Sequence, residues 1–257
     1  MKKIKILIMG LPGSGKTTLA KIIAKKLDAY WLNADKIRGK YNDWDFSKTG
    51  IIRQVKRMRD LAKKSKKKYI LADFICPLNI QREIFKPNLI IWMDTIKKGR
   101  FTNINKIFQK PKKYNLRITD KNLQLNTLKT IDLIHGYKWK NNKPTVFMLG
   151  RYQPWHLGHR KIFEKGIIKT GQVLIFVKDV HKIGDNPFNF KKVKNFIIND
   201  LKDFKNRFKI QLAPNVTNIF YGRTVGYKIE RIKLNKNIEK ISATKIRSKL
   251  RAIGKIW

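Results

Sequence analysis

One cysteine, Cys76, stands among 257 residues, so no disulfide can form within the chain and a reducing compartment is expected. No apolar run approaches the roughly 20 residues needed to cross a bilayer. The opening "MKKIKILIMG" has basic residues and a short apolar run but no small-residue cleavage pattern, which argues against a secretion signal. These features predict a soluble, cytoplasmic protein with no membrane partner. Acidic residues are scarce, 17 Asp and Glu against 60 Lys and Arg. No acidic pair closes an apolar run and no switch segments are visible, so neither a GTPase nor a motor is expected. Histidine is rarer still, at 4 residues, two of them in one short motif. With the cysteine in the other half of the chain, a zinc site lacks ligands.

What is abundant is positive charge, a formal +43. Such a field favours polyanionic partners such as nucleotides or nucleic acid. The lysines are nevertheless spread along the whole chain beside many Ile and Asn, as a coding bias would spread them. No basic stripe interleaved with aromatics stands out, so nucleic acid remains open but is not favoured. A homo-oligomer is equally open. With 42% hydrophobic residues the chain can bury a core, and its length suits one large domain or two small ones.

Short apolar runs alternate with helical patterns. "KILIMG" reads as a buried strand, and "KTTLAKIIAKKL" carries Leu19, Ile22, Ile23 and Leu27 at helical spacing. "YWLNAD", "KYILADF" and "NLIIWMD" read as further strands, and "IIRQVKRMRDLAKKS" as a basic amphipathic helix. From Thr95 to about Lys143 the periodicity weakens, as expected of a mobile lid followed by a returning helix, and "KWKNNKP" reads as a linker. The pattern then restarts with strands "TVFML", "QVLIFVKD", "FKIQLA" and "NIFYG", helices near "HRKIFEKGIIK" and "KKVKNFIINDLKDF", and a last helix after "ISAT". The expected fold class is α/β. Two domains, 1–143 and 144–257, are expected, each with a parallel sheet and the second Rossmann-like.

Gly10 to Thr17, "GLPGSGKT", fits G-x-x-x-x-G-K-[ST] and lies between a strand and a helix, the context this motif requires. Gly10, Gly13 and Gly15 let backbone amides, Ser14's among them, converge on phosphate oxygens at the positive end of the helix that Lys16, Thr17 and Thr18 begin. Lys16 is placed to reach the β and γ phosphates of ATP, and the Thr17 hydroxyl to ligate Mg²⁺. "LNADKIR" brings Asp35 and Arg38 toward the carboxyl edge of the sheet, where substrates bind in open α/β folds. Asp35 there can deprotonate an acceptor hydroxyl, although a helix N-cap is its competing role.

The first 120 or so residues resemble adenylylsulfate (APS) kinase, through "GLPGSGKTT", "LNADKIR" for the family's L-D-G-D-x-x-R, "DFS" and "ICPLNIQR". The resemblance implies Asp35 as the acceptor-side catalytic carboxylate. It also implies Arg38, Arg57 and Arg82 as anion holders, Phe46 as a stacking surface for an acceptor base, and "TIKKGRF" as a mobile lid. Asn33, Ala34, Cys76 and Gln54 depart from the family pattern, all on the acceptor side, so the acceptor stays open.

"GRYQPWHLGH", Gly150 to His159, carries H-x-G-H between a strand and a helix. Gly158 permits close backbone approach, and His156 and His159 can stabilise charge on an attacked α-phosphate. "ISATKIR" sets Ser242, Thr244, Lys245 and Arg247 at a helix start, able to grip the departing phosphates. Arg151 is a further phosphate candidate, and Trp155 fits base stacking or core packing equally. The paired motifs resemble the nucleotidylyltransferase superfamily, and "GRYQPWHLGH" is most similar to its nicotinamide-mononucleotide adenylyltransferase branch. "DNPF" at Asp185–Phe188 and "YGRTVGY" at Tyr221–Tyr227 fall where that branch has substrate loops. The combined reading is a bifunctional enzyme. It joins an ATP-dependent small-molecule kinase to Mg²⁺-dependent nucleotidyl transfer, with small nucleotides or phosphorylated metabolites as partners. A cytidylyltransferase, a sulfate-activating enzyme and a nucleic-acid end-modifying protein are the alternatives.

Overall fold

The computed structural model describes residues 2–256 except 221, 223–225 and 227. It divides into two compact units, 1–136 and 137–257.

In the first unit, β1 (Ile4–Met9) has Ile6, Leu7, Ile8 and Met9 all at 0% exposure, the mark of a strand covered on both faces. β2 (Tyr30–Asn33), β3 (Tyr69–Asp73), β4 (Leu89–Met93) and the short β5 (Leu116–Ile118) join it in a fully parallel sheet. The order is β2-β3-β1-β4-β5. The central place of β1 aims its carboxyl end, and the loop behind it, into the middle of the sheet edge. α1 (Lys16–Leu27) buries Leu19, Ala20, Ile23, Ala24 and Leu27 as one helical stripe. It stops at Asp28, left-handed at φ 48°, behind Lys25 and Lys26 in its last turn, where cations suit the helix dipole.

α2 (Ala34–Lys40) follows β2 directly, and its N-cap is Asn33, whose side chain accepts from Lys36 N. Asp35 therefore sits inside the helix and the capping role falls to its neighbour. α3 (Lys48–Lys64) is capped by Ser47, which accepts from Gly50 N at 3.2 Å. α4 (Asn79–Phe85), α5 (Thr102–Ile107) and α6 (Leu123–His135) complete the unit. α4, α5 and β5 are not evident in the sequence, being short and without a full apolar period.

The second unit holds β6 (Val146–Gly150), β7 (Val173–Lys178) and β8 (Phe208–Ala213), parallel and in that order. α7 (Leu157–Thr170), α8 (Phe190–Asp200), α9 (Lys236–Glu239) and α10 (Ala243–Ala252) accompany them. The segment expected as a linker packs on this unit. Gln172 Nε2 donates to Lys140 O at 2.8 Å, and Tyr137 Oη donates to Gln172 Oε1 at 3.1 Å. The strand expected at "NIFYG" is absent over its described residues, where Ile219 and Phe220 are 58% and 91% exposed and no neighbouring strand is offered. No helix among the described residues is long and apolar enough to cross a membrane.

Candidate functional site

The loop between β1 and α1 depends on glycine. Gly13 and Gly15 have φ of +87° and +89°, and Gly10 has φ of +149°. A Cβ on Gly10 would lie 2.4 Å from the Met93 carbonyl oxygen, so Gly10→Ala must displace backbone from β4. Backbone strain of this kind costs about 1–3 kcal/mol before the clash is counted. Gly10→Ala is expected to lower the thermal midpoint of the first unit and to abolish nucleotide binding, as calorimetry with ADP would measure. Ser14 N donates to Leu11 O at 3.1 Å, and the buried Ser14 hydroxyl has no partner. Lys16, only 8% exposed, donates from Nζ to Leu11 O at 2.9 Å. Burial pulls its pKa down to about 8, against the opposing pull of the Asp73 and Asp35 carboxylates. Thr18 is exposed on the next turn position.

Asp73 ends β3, in register with Ile8 of β1, and sequence reasoning missed it. Its carboxylate accepts from Thr17 Oγ1 at 2.7 Å, Trp31 Nε1 at 2.6 Å and Asn33 Nδ2 at 3.1 and 3.2 Å. Desolvation pushes its pKa up, while those donors and Lys16 pull it down. The only signal in the sequence is a lone acid closing the apolar run "YILAD", and strand pairing gives it meaning. Thr17 and Asp73 together form a pair of hard oxygen donors at the mouth of the loop, a set that fits Mg²⁺.

A cavity of about 300 Å³ opens here, lined by Lys16, Thr17, Asp35, Arg38, Phe46 and Asp73 among others. Phe101 from the segment before α5 also lines it and is 59% exposed, a second aromatic at the mouth that sequence reasoning did not single out. Arg38 Nη1 donates to Asp43 O and Asp45 O at 2.8 and 2.9 Å, with its guanidinium 4.7 Å from the Phe46 ring. Two expected anion holders are placed otherwise. Arg57 lies outside the cavity lining and pairs with Asp43 at 2.9 Å, against Tyr41. Arg82, also outside the lining, donates to Cys76 O at 3.0 Å and Gln109 O at 3.1 Å, holding a loop in which Cys76 has φ of +51°. Both guanidiniums are spent on acids and carbonyls that their own unit leaves unpaired.

In the second unit Gly150 ends β6, and Arg151 follows it exposed. Gln153 is buried and clamped to Phe188, its Nε2 donating to Phe188 O at 2.7 Å and its Oε1 accepting from Phe188 N at 2.9 Å. The "DNPF" loop is thereby tied to the H-x-G-H loop. Trp155 is 8% exposed and donates from Nε1 to Asp200 at 2.8 Å, which favours its packing role, although it also lines a cavity of about 690 Å³ beside His156.

His156 caps α7, its Nδ1 accepting from Gly158 N at 3.1 Å, while His159 Nδ1 accepts from His156 N at 3.2 Å. The rings stack at 3.9 Å. A Cβ on Gly158 would meet the His156 ring at 2.9 Å, which explains the glycine. Since both Nδ1 atoms accept, each neutral ring carries its proton on Nε2. Burial drives the His159 pKa from 6.5 to about 3, helped by His156, and lowers that of His156 as well.

The unfolded chain therefore binds a proton at His159 that the folded chain refuses. The stability this contributes is complete above the ordinary pKa of 6.5 and is lost as pH falls from there toward 3. Denaturant midpoints of wild type and His159→Asn are expected to converge as pH falls through that window. A pH-independent gap would contradict the assignment.

Arg247 is buried and donates from Nη1 to Gln153 O at 2.7 Å, while its Nη2 meets Thr244 Oγ1 at 3.2 Å and Asp185 at 3.1 Å. Its Nε has no partner. Ser242 is the N-cap of α10 without a side-chain bond, and Thr244 and Lys245 are exposed. The structure thus ties Gln153, Phe188, Asp185 and Arg247 to the histidine loop. The Tyr221–Tyr227 loop lies largely outside the described residues. No group of three or more His, Cys, Asp and Glu able to hold a metal occurs among the described residues.

A family model described as an AAA domain matches residues 6–81. No curated protein matches the chain. Among solved structures, the APS kinase of Mycobacterium tuberculosis in complex with AMPPNP and APS is 22% identical, with 52% of this chain and 98% of that chain covered and a TM-score of 0.46. Shikimate kinase from Acinetobacter baumannii in complex with shikimate is 19% identical, over 54% and 96%, with a TM-score of 0.41. A gluconokinase from Sinorhizobium meliloti 1021 is 10% identical, over 52% and 90%, with a TM-score of 0.39. The first unit is a parallel α/β fold with the G-x-x-x-x-G-K-T loop between β1 and α1.

Proposed function

We propose that the chain is a bifunctional transferase. The first unit passes the γ-phosphate of ATP to a hydroxyl of a small molecule. The second passes a nucleotidyl group, from ATP in the favoured reading, to a phosphorylated acceptor such as nicotinamide mononucleotide. The observation that carries the first half is the convergence of Lys16, Thr17 and Asp73 with Asp35, Arg38 and Phe46 on a single cavity.

In this reading the loop amides and Lys16 hold the β and γ phosphates. Thr17 and Asp73 hold Mg²⁺, which when bound offsets the charge shared by those phosphates. Asp35, exposed at the cavity, accepts the proton of the attacking hydroxyl. Phe46, exposed at the cavity, offers a flat face to a planar acceptor, with the buried Arg38 guanidinium 4.7 Å from its ring adding positive potential. Because the acceptor phosphorylated here need not be APS, a sulfate-activating role is a narrower case of the same chemistry.

The second half is supported by the paired Nε2–H groups of His156 and His159, on the loop whose Gln153 carbonyl accepts from Arg247. The acceptor phosphate attacks the α-phosphorus in line and pyrophosphate leaves. The two imidazoles donate to the charge that develops, and Arg247 with Thr244 and Lys245 receives the leaving phosphates. The test is pyrophosphate release from ATP and from CTP, each with Mg²⁺ and nicotinamide mononucleotide. Release with ATP alone supports adenylyl transfer. Turnover of CTP alone moves the reading to cytidylyl transfer, and no release with either removes nicotinamide mononucleotide as acceptor.

A further inference from the structure

The Asp73 carboxylate is held by more than the loop it serves. β2 runs parallel to β3 with Asn33 opposite Asp73 and Trp31 opposite Leu71. Residues two apart on a strand share a face, so Trp31 and Asn33 present their side chains to the same side of the sheet. Trp31 Nε1 takes Oδ1 at 2.6 Å, Asn33 Nδ2 spans both oxygens, and Thr17 takes Oδ2 at 2.7 Å.

We propose that Trp31 and Asn33 are positioning residues that act through Asp73, fixing the rotation of its carboxylate so that one oxygen stays aimed at the Thr17 hydroxyl. The proposal rests on the reading that Thr17 and Asp73 hold Mg²⁺ with the nucleotide. The terminal torsion of an aspartate is broad, and packing alone does not choose which oxygen faces the loop. Two neutral donors on one neighbouring strand do fix that rotation: Trp31 takes Oδ1, Asn33 bridges both oxygens, and in that orientation Oδ2 accepts from Thr17. Lys36 Nζ, 5.2 Å over the Trp31 ring, covers that indole from outside.

Asn33 has a second bond, to the helix that follows it. Its Oδ1 accepts from Lys36 N at 2.9 Å and so caps α2, the helix that carries Asp35 and Arg38. One amide side chain thereby touches the nucleotide-side carboxylate with its nitrogen and the acceptor-side helix with its oxygen. An aspartate at position 33 would keep the cap but set a second carboxylate within 3.2 Å of the first in place of a donor. An amide is the side chain that serves both partners.

The test is calorimetric affinity for ADP on the full chain, measured with excess Mg²⁺ and again with EDTA. Wild type is expected to bind ADP more tightly with Mg²⁺. Trp31→Phe keeps the ring and removes the donor. It is expected to leave the EDTA affinity unchanged and to cut the Mg²⁺-dependent tightening about tenfold, the scale of lost metal-ligand support. Asn33→Asp keeps the helix cap and is expected to cut it as well, so the measurement survives if Trp31→Phe does not fold. A merely structural role would weaken both affinities together, and that result overturns the proposal, as does an unchanged Mg²⁺ effect in both variants. If wild-type affinity is the same with and without Mg²⁺, the metal reading itself fails and the clamp with it.

Discussion

Lys16→Ala is expected to abolish γ-phosphate transfer while leaving pyrophosphate release by the second unit at its wild-type rate. Lys16 is the one cation that begins α1 and reaches the cavity, and its Nζ rests on Leu11 O, 2.9 Å away, within the phosphate loop itself. Loss of a single preorganised donor to developing charge costs about 10²–10³ in rate. A full positive charge in a buried setting should exceed that. Its burial means the ammonium has little water to lose when phosphate arrives, so most of its attraction is available to the ligand. The alanine leaves Leu11 O without this donor, which is a small cost at a partly exposed turn. ADP production from ATP with a competent acceptor is the measurement, with far-ultraviolet circular dichroism as the folding control. Kinase activity that survives Lys16→Ala would overturn the assignment of this loop.

The second large effect is the reverse. His159→Ala is expected to lower pyrophosphate release by about 10²–10³, the loss typical of one oxyanion donor, and to leave ADP production untouched. His159 is held by the His156 N–H on one nitrogen and by the stacked His156 ring on its face, which fixes the direction of its remaining N–H. Its depressed pKa keeps it neutral throughout the neutral range, so in the proposed reaction it would serve as a hydrogen-bond donor and not as a cation. The alanine also removes the acceptor for His156 N, so His159→Asn, which can retain one, separates catalysis from loop geometry. Equal losses in both variants are expected if the imidazole N–H matters. Full activity in His159→Asn would show that only the loop's shape is needed.

Much of the first unit was legible because its signals are local. The loop, its flanking strand and helix, and the stripe of Leu19, Ile23 and Leu27 all lie within the 24 consecutive residues from Ile4 to Leu27. Asp73 was not legible, since its role arises from the parallel pairing of β1 with β3, which sets it beside Thr17 from 56 positions away. Asn33 drew notice only as a departure from a family pattern, and its two bonds depend on β2 pairing with β3 and running straight into α2. Arg57 and Arg82 were misplaced for a related reason. A sequence lists cations without saying which carboxylates and carbonyls the fold leaves for them, and Asp43 and the Cys76 carbonyl took these two. In the second unit the spacing singled out the H-x-G-H stretch, which follows β6 and opens α7 as expected of it. The Gln153–Phe188 clamp and the seat of Arg247 on Gln153 O join residues 35 and 94 positions apart and could not be read.

The central claim is that two loops support two different cuts of a nucleoside triphosphate, and product analysis with doubly labelled ATP tests it most directly. Wild type, Lys16→Ala and His159→Ala would each be incubated with Mg²⁺ and ATP labelled at the α- and γ-phosphates, with a hydroxyl acceptor and a phosphate acceptor present. The expected result is that wild type moves γ-label to one acceptor and α-label to the other. Lys16→Ala should lose only the first transfer and His159→Ala only the second. Loss of both labels in either variant, or α-label that never leaves ATP in wild type, would contradict the account.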